Sequence, residues 1–272
     1  MENNTKPCVV ITGSARGFGF EMAKLFKQKQ CNVVLSDINV ENLEKAKTEL
    51  EKVSSDSQVI SIECNVTKYD ELENLWNKTV ETFGKVDVWI NNAGVNQPDK
   101  SMGELSSQEI DFLLYIDLKG AIYGSNIAFK NMQKQGFGQI YNVEGYGSND
   151  AMMLGLSLYG TSKRAITYFT QSLAKESKIL TNDAVKVGRI TPGIMITDFI
   201  KSANGGKTKI ELPEKTKKVY NILGDYASTI ANFMVPRILK NKKNNDRIIW
   251  LTNRRAFGRF LTAGFRKRNF FE

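Results

Sequence analysis

The chain has 272 residues, 41% of them hydrophobic and 25% charged, which is enough for one sizeable core and excludes a largely disordered protein. It contains no histidine, so histidine relays and most zinc sites are excluded, no metal is expected, and acid–base chemistry falls to Tyr, Lys, Asp or Glu. No apolar run reaches the ~18 residues of a membrane span and no long apolar leader is visible, so we expect a cytoplasmic location.

The net charge of +9 comes from the C-terminal end of the chain. Residues 236–272 carry eleven basic and two acidic residues, so the first 235 residues are neutral overall. The three cysteines form no C-x-x-C pair and lie in or beside apolar segments, which is typical of buried thiols in a reducing compartment. The basic character therefore belongs to the tail and not to the main domain.

Seven short segments rich in β-branched residues predict strands, and stretches with helical spacing separate them. This alternation indicates βαβ units and a single Rossmann-type, doubly wound parallel sheet with helices on both faces. The predicted strands are 8–12, 32–36, 58–63, 87–91, 139–143, 184–190 and 247–251.

The C-terminal third departs from this regular alternation. Residues 197–218 are polar, contain two adjacent glycines, and are interpreted as a substrate lid or a mobile loop. Residues 219–239 then have helical spacing. We expect one domain over residues 1–272, with a core at about 6–251 and a basic extension at 252–272.

A glycine-rich loop follows the first predicted strand and precedes the first helix. Glycines allow a sharp turn and let the backbone approach a pyrophosphate at a helix N-terminus. A tight turn without a ligand is the alternative, but the strand before the loop and the helix after it favour dinucleotide binding. The predicted cofactor-binding residues here are Gly13, Ser14, Arg16, Gly17, Phe18 and Gly19.

The second predicted strand ends at Asp37, about twenty residues beyond the glycines. A carboxylate there accepts hydrogen bonds from the ribose hydroxyls of the adenosine and repels a 2′-phosphate. Arg16 argues the other way, since it could pair with that phosphate. We expect NAD(H) in preference to NADP(H), because placing a dianion beside a carboxylate costs more than a flexible arginine recovers. Ile38, Asn65 and Val66 complete the expected adenosine end.

Tyr159 and Lys163 are spaced i, i+4, so they share one face of a predicted helix. A free tyrosine has a pKa near ~10, and a neighbouring ammonium favours the phenolate and brings the group toward working range. Taken alone, the Y-x-x-x-K pattern is common and usually marks only a solvated helix face.

Four motifs together resemble the short-chain dehydrogenase/reductase family over about residues 6–200: T-G-x-x-x-G-x-G from Thr12, N-N-A-G from Asn91, Y-x-x-x-K and Pro192-Gly193. The resemblance implies that Tyr159 exchanges a proton with the substrate oxygen, and that Lys163 binds the nicotinamide ribose and lowers the tyrosine pKa. It also implies a homodimer or homotetramer formed through helices in 117–132 and 159–179. By the same resemblance the nicotinamide end is lined by Asn92, Ala93, Gly94, Pro192, Gly193, Ile194 and Thr197.

Three positions depart from the family pattern. The serine expected three residues after Asn142 is Gly145, so Ser148 is the predicted substrate-polarising donor, with Tyr146 as the alternative. The helix asparagine that holds a relay water in the family appears here as Asp117, which accepts a hydrogen bond but cannot donate one. The strand-end aspartate expected near the adenine is Asn65.

The arrangement N-x-x-G-x-G-S from Asn142, with the tyrosine seventeen residues later, resembles the chlorophyll(ide) b reductase branch of the family. That resemblance implies a large, apolar substrate, although Asp37 departs from the NADPH preference expected of that branch. The residues therefore predict an NAD(H)-dependent oxidoreductase that interconverts an alcohol and a ketone or aldehyde on a steroid-, polyketide- or tetrapyrrole-like molecule. A sensor or scaffold that binds dinucleotide without catalysis is the alternative, motivated by Gly145 and Asp117.

The tail carries an aromatic stripe with arginines between its members. We expect the stripe to pack on the domain or on a neighbouring subunit while the arginines stay in water. Contact with an anionic membrane surface is the less favoured alternative. No nucleic-acid partner is expected, because no base-reading module is visible. The stripe consists of Phe257, Phe260, Leu261, Gly264 and Phe265, and the arginines are Arg254, Arg255, Arg259 and Arg266.

Overall fold

The computed structural model describes residues 6–203, 208–209, 211–265 and 268–271. Seven parallel strands form one sheet in the order β7-β6-β5-β4-β1-β2-β3, so every predicted strand and the predicted doubly wound fold are confirmed. The strands are β1 Cys8–Thr12, β2 Asn32–Asp37, β3 Val59–Glu63, β4 Val88–Asn91, β5 Gly138–Val143, β6 Val185–Thr191 and β7 Arg247–Ile249.

Helices connect the strands, and local signals set several of their ends. The Asn39 side chain accepts the backbone N–H of Asn42 at the start of one helix, and the Ser106/Glu109 capping box starts another. The helices are α1 Gly17–Gln28, α2 Val40–Glu51, α3 Tyr69–Phe83, α4 Ser107–Leu114, α5 Ala121–Gln135, α6 Ser157–Thr181, α7 Asp198–Lys201, α8 Glu214–Leu223, α9 Ala227–Lys240 and α10 Asn253–Thr262.

The core lies on both faces of the sheet, because the strands are apolar on both sides. Val9 and Ile11 of β1 join one cluster with residues of α1, α2 and α9, whereas Val10 joins a second cluster with residues of α3, α5 and α6. Such two-sided burial is what near-continuous apolar strands require in a parallel sheet. The carboxyl ends of the strands are consequently left as the edge where side chains meet a ligand.

The segment after β6 is more ordered than the sequence suggested. It contains α7, a two-residue antiparallel pairing of 202–203 with 208–209, and α8, which begins inside the predicted lid. The single helical stretch expected over 219–239 is wrong, since it breaks at Gly224. A Cβ on Gly224 would lie 2.5 Å from the carbonyl oxygen of Tyr220 and 2.8 Å from the Ile196 side chain. Asp225–Tyr226 then pairs with Met195–Ile196.

For the tail, the expected packing of the aromatic stripe on its own domain is wrong, whereas its packing on a neighbouring subunit stays a prediction. The aromatic stripe does not pack on its own domain: Phe257, Phe260, Leu261 and Phe265 are 66%, 50%, 66% and 93% exposed. The arginine side of α10 faces inward instead, as Arg259 does toward Asp225. Arg266 lies outside the described residues. Across the described part of the chain, no helix is long and apolar enough to span a membrane.

Candidate active site

A cleft of about 520 Å³ opens along the carboxyl ends of the strands. It runs from the glycine loop after β1, past the end of β2, to the start of α6. The structure brings most of the predicted site residues to this one cleft. Those that line it are Gly13, Arg16, Gly17, Phe18, Asp37, Ile38, Asn65, Val66, Asn92, Ala93, Gly94, Tyr159, Lys163 and Thr197.

The glycine loop is packed against the end of β4. A Cβ on Gly13 would lie 2.7 Å from the Cα of Ala93, and one on Gly19 would lie 2.5 Å from the carbonyl oxygen of Gly13. Gly17 has open space around it but a φ of +61°, so its backbone conformation calls for glycine. Ser14 is buried and donates to the carbonyl of Ile11 at 2.7 Å. The hydrogen bond of Ser14 and the close packing of Gly19 therefore stabilise the conformation of the glycine loop.

The Asp37 carboxylate lines the cleft at the end of β2 and is held by two backbone donors. Its oxygens accept the N–H of Ala15 at 3.3 Å and the N–H of Asn39 at 3.1 Å. A carboxylate has about four acceptor positions, so capacity remains for two hydroxyls of a ribose. Arg16 is exposed at the N-terminus of α1 and lines the same cleft.

A buried polar network fixes the far end of the cleft. The Asn91 side chain donates to Asn142 at 2.8 Å and to Ser125 at 2.9 Å, and Asn142 donates to Thr170 at 2.9 Å. These bonds tie β4 and β5 to α5 and α6. Because satisfied buried networks are rigid, the start of α6 has a defined position relative to the sheet.

Tyr159 and Lys163 are both buried at this end of the cleft. The Lys163 Nζ lies 5.2 Å from the centroid of the Tyr159 ring, and the Phe199 ring lies 6.0 Å from that ring on another side. Burial raises the pKa of Tyr159 to about 12, since the nearby Lys163 charge offsets this only in part and Asp117 adds to it. The phenol is therefore protonated at neutral pH in the cofactor-free protein.

Asp117 contacts Lys163. A π-helical turn at Tyr115–Gly120 places its carboxylate 2.8 Å from the Lys163 Nζ, and its other oxygen accepts the N–H of Val95 at 2.7 Å. Burial lowers the pKa of Lys163, but the charges of Asp117 and Tyr159 outweigh it and the net shift is upward. Asp117 thus keeps the lysine charged and fixes its position.

The predicted substrate-polarising hydroxyls are not brought to the cleft. The Ser148 hydroxyl is buried, accepts the N–H of Gly145 at 3.2 Å and donates to the Lys163 carbonyl at 3.4 Å. The Tyr146 hydroxyl donates to the carbonyl of Met152 at 3.0 Å. Neither is among the described residues that line the cleft. Gly145 packs against Tyr159 instead, since a Cβ there would lie 2.3 Å from the Tyr159 hydroxyl.

Comparison with known proteins agrees with this geometry. Residues 7–208 match the family model described as short chain dehydrogenase. The chain belongs to the short-chain dehydrogenase family. It is 29% identical to the probable chlorophyll(ide) b reductase of Arabidopsis thaliana, over 97% of this chain but 54% of that protein, so it spans about half the length of that relative.

Other members of the family are similar over most of both chains. A 15-hydroxyprostaglandin dehydrogenase [NAD(+)] of Bos taurus is 31% identical over 84% of this chain and 85% of its own. The crystal structure of a levodione reductase superposes with a TM-score of 0.79 at 22% identity, covering 93% of this chain and 98% of that one. Each of these relatives is named as a reductase or a dehydrogenase.

Sequence reasoning missed Glu144 in this short-chain dehydrogenase. Its carboxylate is fully buried at the end of β5, next to Gly145, and lines the cleft. It accepts hydrogen bonds from Thr167 at 2.8 Å and Thr191 at 2.6 Å, and pairs with Arg247 at 2.7 Å. A charge at the end of an otherwise apolar strand was the signal, because such a residue is rarely buried without partners. These contacts of Glu144 link β5 to α6, β6 and β7 close to Tyr159.

Tyr220 on α8 was also missed, because the sequence placed it in a long helix remote from the site. Burial is the main cause of the raised pKa of Tyr159 and the Tyr220 phenol adds to it, while burial, with a contribution from Tyr146, also raises the pKa of Tyr220. The C-terminal residues hold α8 in this position: the N–H of Phe270 donates to Asn221 at 3.0 Å, and the Phe271 ring lies 6.4 Å from the Tyr220 ring. These C-terminal contacts thus fix the position of α8.

The segment after β6 lies beside the nicotinamide end. Gly193 has a φ of +73° and packs on Leu251, and the carbonyl of Ile194 accepts the N–H of Asp225 at 3.1 Å. Pro192, Gly193 and Ile194 are not among the described lining residues, whereas Met195 and Thr197 are. Their contact with the nicotinamide stays a prediction.

Proposed function

We propose that the protein is an NAD(H)-dependent dehydrogenase/reductase that interconverts an alcohol and a ketone or aldehyde on a bulky hydrophobic molecule. One observation carries the proposal: a single cleft has the glycine loop and Asp37 at one end and the buried pair Tyr159 and Lys163 at the other. Neither motif alone is specific, but their meeting in one cleft is what dinucleotide-dependent carbonyl chemistry requires.

The residues fit a dinucleotide. The open space at Gly17 leaves room for a pyrophosphate at the N-terminus of α1, Gly13 lets the loop pack closely on Ala93, and Asp37 has free acceptor positions for the adenosine ribose. NADP(H) is the less favoured cofactor, because its 2′-phosphate would lie beside the Asp37 carboxylate. When bound, the cofactor supplies or accepts the hydride at the substrate carbon.

The chain supplies the proton. In the direction of reduction the Tyr159 hydroxyl donates its proton to the substrate oxygen as the carbon gains the hydride, and the resulting phenolate is stabilised by the Lys163 ammonium. In the direction of oxidation the phenolate takes that proton back. Burial raises the pKa of Tyr159 above its ordinary value, so the phenol is protonated at neutral pH and can serve as the proton donor. Asp117 holds Lys163 in place throughout.

The apolar residues that line the open end of the cleft support the proposal of a bulky, apolar substrate. Phe112, Met195 and Phe199 line the cleft, and the loop between β5 and α6 exposes Met152 and Leu154 to 92% and 90%. Large exposed apolar side chains near a cleft favour recognition of an apolar ligand. The names of the relatives, a chlorophyll(ide) b reductase and a hydroxyprostaglandin dehydrogenase, agree with a large substrate.

The test is NADH consumption across a panel of bulky ketones and aldehydes, run with the wild-type protein and with Tyr159→Phe. We expect turnover that the variant loses, together with NADH affinity that the variant retains. NADH binding without turnover on any member of the panel would instead favour the sensor alternative, for which the comparisons give no support. Asp37→Ser is expected to raise the preference for NADPH over NADH at least about tenfold, because it removes the repulsion at the 2′-phosphate.

Two further expectations accompany this function. A homodimer or homotetramer formed through α5 and α6 is proposed, supported by Tyr168 and Ile179, which project from α6 and are largely exposed. Sedimentation velocity of wild type and Tyr168→Ser tests it.

A cytoplasmic location is likewise proposed.

A further inference from the structure

Helix α10 points its apolar side toward solvent and its cationic side toward the domain. Phe257, Phe260 and Leu261 recur at i, i+3 and i+4 on one face, and Phe265 continues that face beyond the end of the helix. All four are half to almost fully exposed. A surface helix normally buries its apolar stripe, so this orientation leaves an aromatic face without a partner in the described part of the chain.

Polar contacts hold the helix in this orientation. Arg259 pairs with Asp225 at 2.7 Å and donates to the carbonyl of Leu223 at 2.8 Å. The Arg255 guanidinium lies 3.8 Å above the Trp250 ring, and Arg268 pairs with the other oxygen of Asp225 at 2.6 Å. Rotating the apolar face inward would break these ion pairs and leave the buried Asp225 carboxylate uncompensated. The outward aromatic face is therefore a fixed feature of the surface.

The exposed basic residues on α8 and at the start of α10 indicate which class of partner this face binds. Lys215 and Lys218 on α8, which packs against α10, are exposed, as is Arg254 at the start of α10. A two-fold contact between copies would bring these cations together, and a patch of four side chains is small beside the ~800 Å² per partner that a stable interface buries. Aromatic side chains surrounded by lysine and arginine are suited to the headgroup region of an anionic bilayer.

We propose that the apolar face of α10 docks the protein on the surface of a membrane containing anionic lipid. Its aromatic rings enter the boundary between headgroups and acyl chains, and the flanking cations contact the headgroups. Asp225 joins this surface to the cleft, since its N–H donates to the carbonyl of Ile194, next to the cleft-lining Met195. The docked face is thus connected through Asp225 to a residue next to the wall of the cleft.

Vesicle flotation of the full chain tests the proposal, with vesicles of phosphatidylcholine alone and of phosphatidylcholine with phosphatidylglycerol. We expect wild type to float with the anionic vesicles only. Phe257→Ser/Leu261→Ser should lower partitioning at least about tenfold, because two large apolar side chains no longer leave water. The matched control Phe137→Ser/Leu180→Ser alters two exposed apolar residues elsewhere and should float like wild type.

Three outcomes would overturn the docking proposal: no flotation of wild type, flotation unchanged in Phe257→Ser/Leu261→Ser, or an oligomer that this variant dissociates. The last outcome would make the face a subunit interface. Turnover of a water-soluble carbonyl substrate reports separately on the proposed function, because these side chains do not line the cleft. The variant should keep that turnover and the wild-type melting temperature.

Discussion

The contact between Gly145 and the catalytic tyrosine makes a strong prediction. Gly145 occupies the position at which the family resemblance expects a serine, so Gly145→Ser would appear to restore a catalytic group. The structure predicts the opposite. A Cβ at this position would lie 2.3 Å from the Tyr159 hydroxyl, 3.0 Å from its Cζ and 3.1 Å from the Cγ of Lys163.

The size of the effect follows from these distances. A carbon and an oxygen in contact are normally separated by more than 3 Å, so the phenol must move by about 1 Å. Misplacing a reacting group by that distance costs roughly a hundredfold in rate, equivalent to about 2.7 kcal/mol of transition-state stabilisation. Overpacking of this kind also lowers the free energy of unfolding by about 1–3 kcal/mol, which is too little to unfold a domain of this size.

Steady-state kinetics with NADH and the best carbonyl substrate measure the effect as kcat/KM, and NADH fluorescence measures cofactor affinity separately. Gly160→Ala is the matched control, since it adds a Cβ next to Tyr159 on α6 whose nearest contact, the Cα of Gly147, is 3.7 Å away. The control should keep wild-type activity. A Gly145→Ser enzyme within about threefold of wild type, or faster, would refute the reasoning, because the loop would then admit the side chain without moving Tyr159.

Three more predictions follow from the same region. Asp117→Asn removes a negative charge that raises the pKa of Tyr159, so the limb of the pH–rate profile that reports this phenol should move to lower pH; an unmoved limb would contradict the electrostatic role. Glu144→Ala should lower the free energy of unfolding in urea by about 2–3 kcal/mol, since Arg247 loses its partner while remaining partly exposed, whereas the exposed Glu176→Ala should stay within about 0.5 kcal/mol. Tyr220→Phe removes a smaller contribution to the same raised pKa of Tyr159, so this limb should move to lower pH by less than in Asp117→Asn, and a larger shift would contradict the order of the two contributions.

The sheet and the cofactor end could be predicted from the sequence because their determinants are local. Each strand of a parallel sheet is apolar along its length and each is followed by a helix, so the alternation is visible without knowing which strands are neighbours. Gly13, Gly17 and Asp37 are likewise set by the turn and strand that contain them. The structure places all three along one cleft, as expected.

The break in the helical stretch at 219–239 and the orientation of the tail could not be predicted, because both depend on contacts between residues far apart in the chain. Helical spacing continues through residues 219–239, but Gly224 interrupts the helix where its backbone meets Ile196. The periodicity of α10 correctly marks an apolar face, yet it cannot say which way the face points. Asp225, about thirty residues earlier in the chain, binds Arg259 and Arg268 and turns that face outward.

The departures of this site from its family are physically linked. The Tyr159 hydroxyl takes the space of a side chain at position 145, so that residue must be small. The serine hydroxyl then moves to Ser148, where it closes the loop by bonding Gly145 and the Lys163 carbonyl instead of facing substrate. With that hydroxyl withdrawn from the cleft, the proposed function assigns polarisation of the substrate oxygen to the Tyr159 proton. Under the proposed function, Asp117 and Gly145 are compatible with catalysis, because burial and the Asp117 charge both raise the pKa of Tyr159 and keep its proton available to the substrate oxygen.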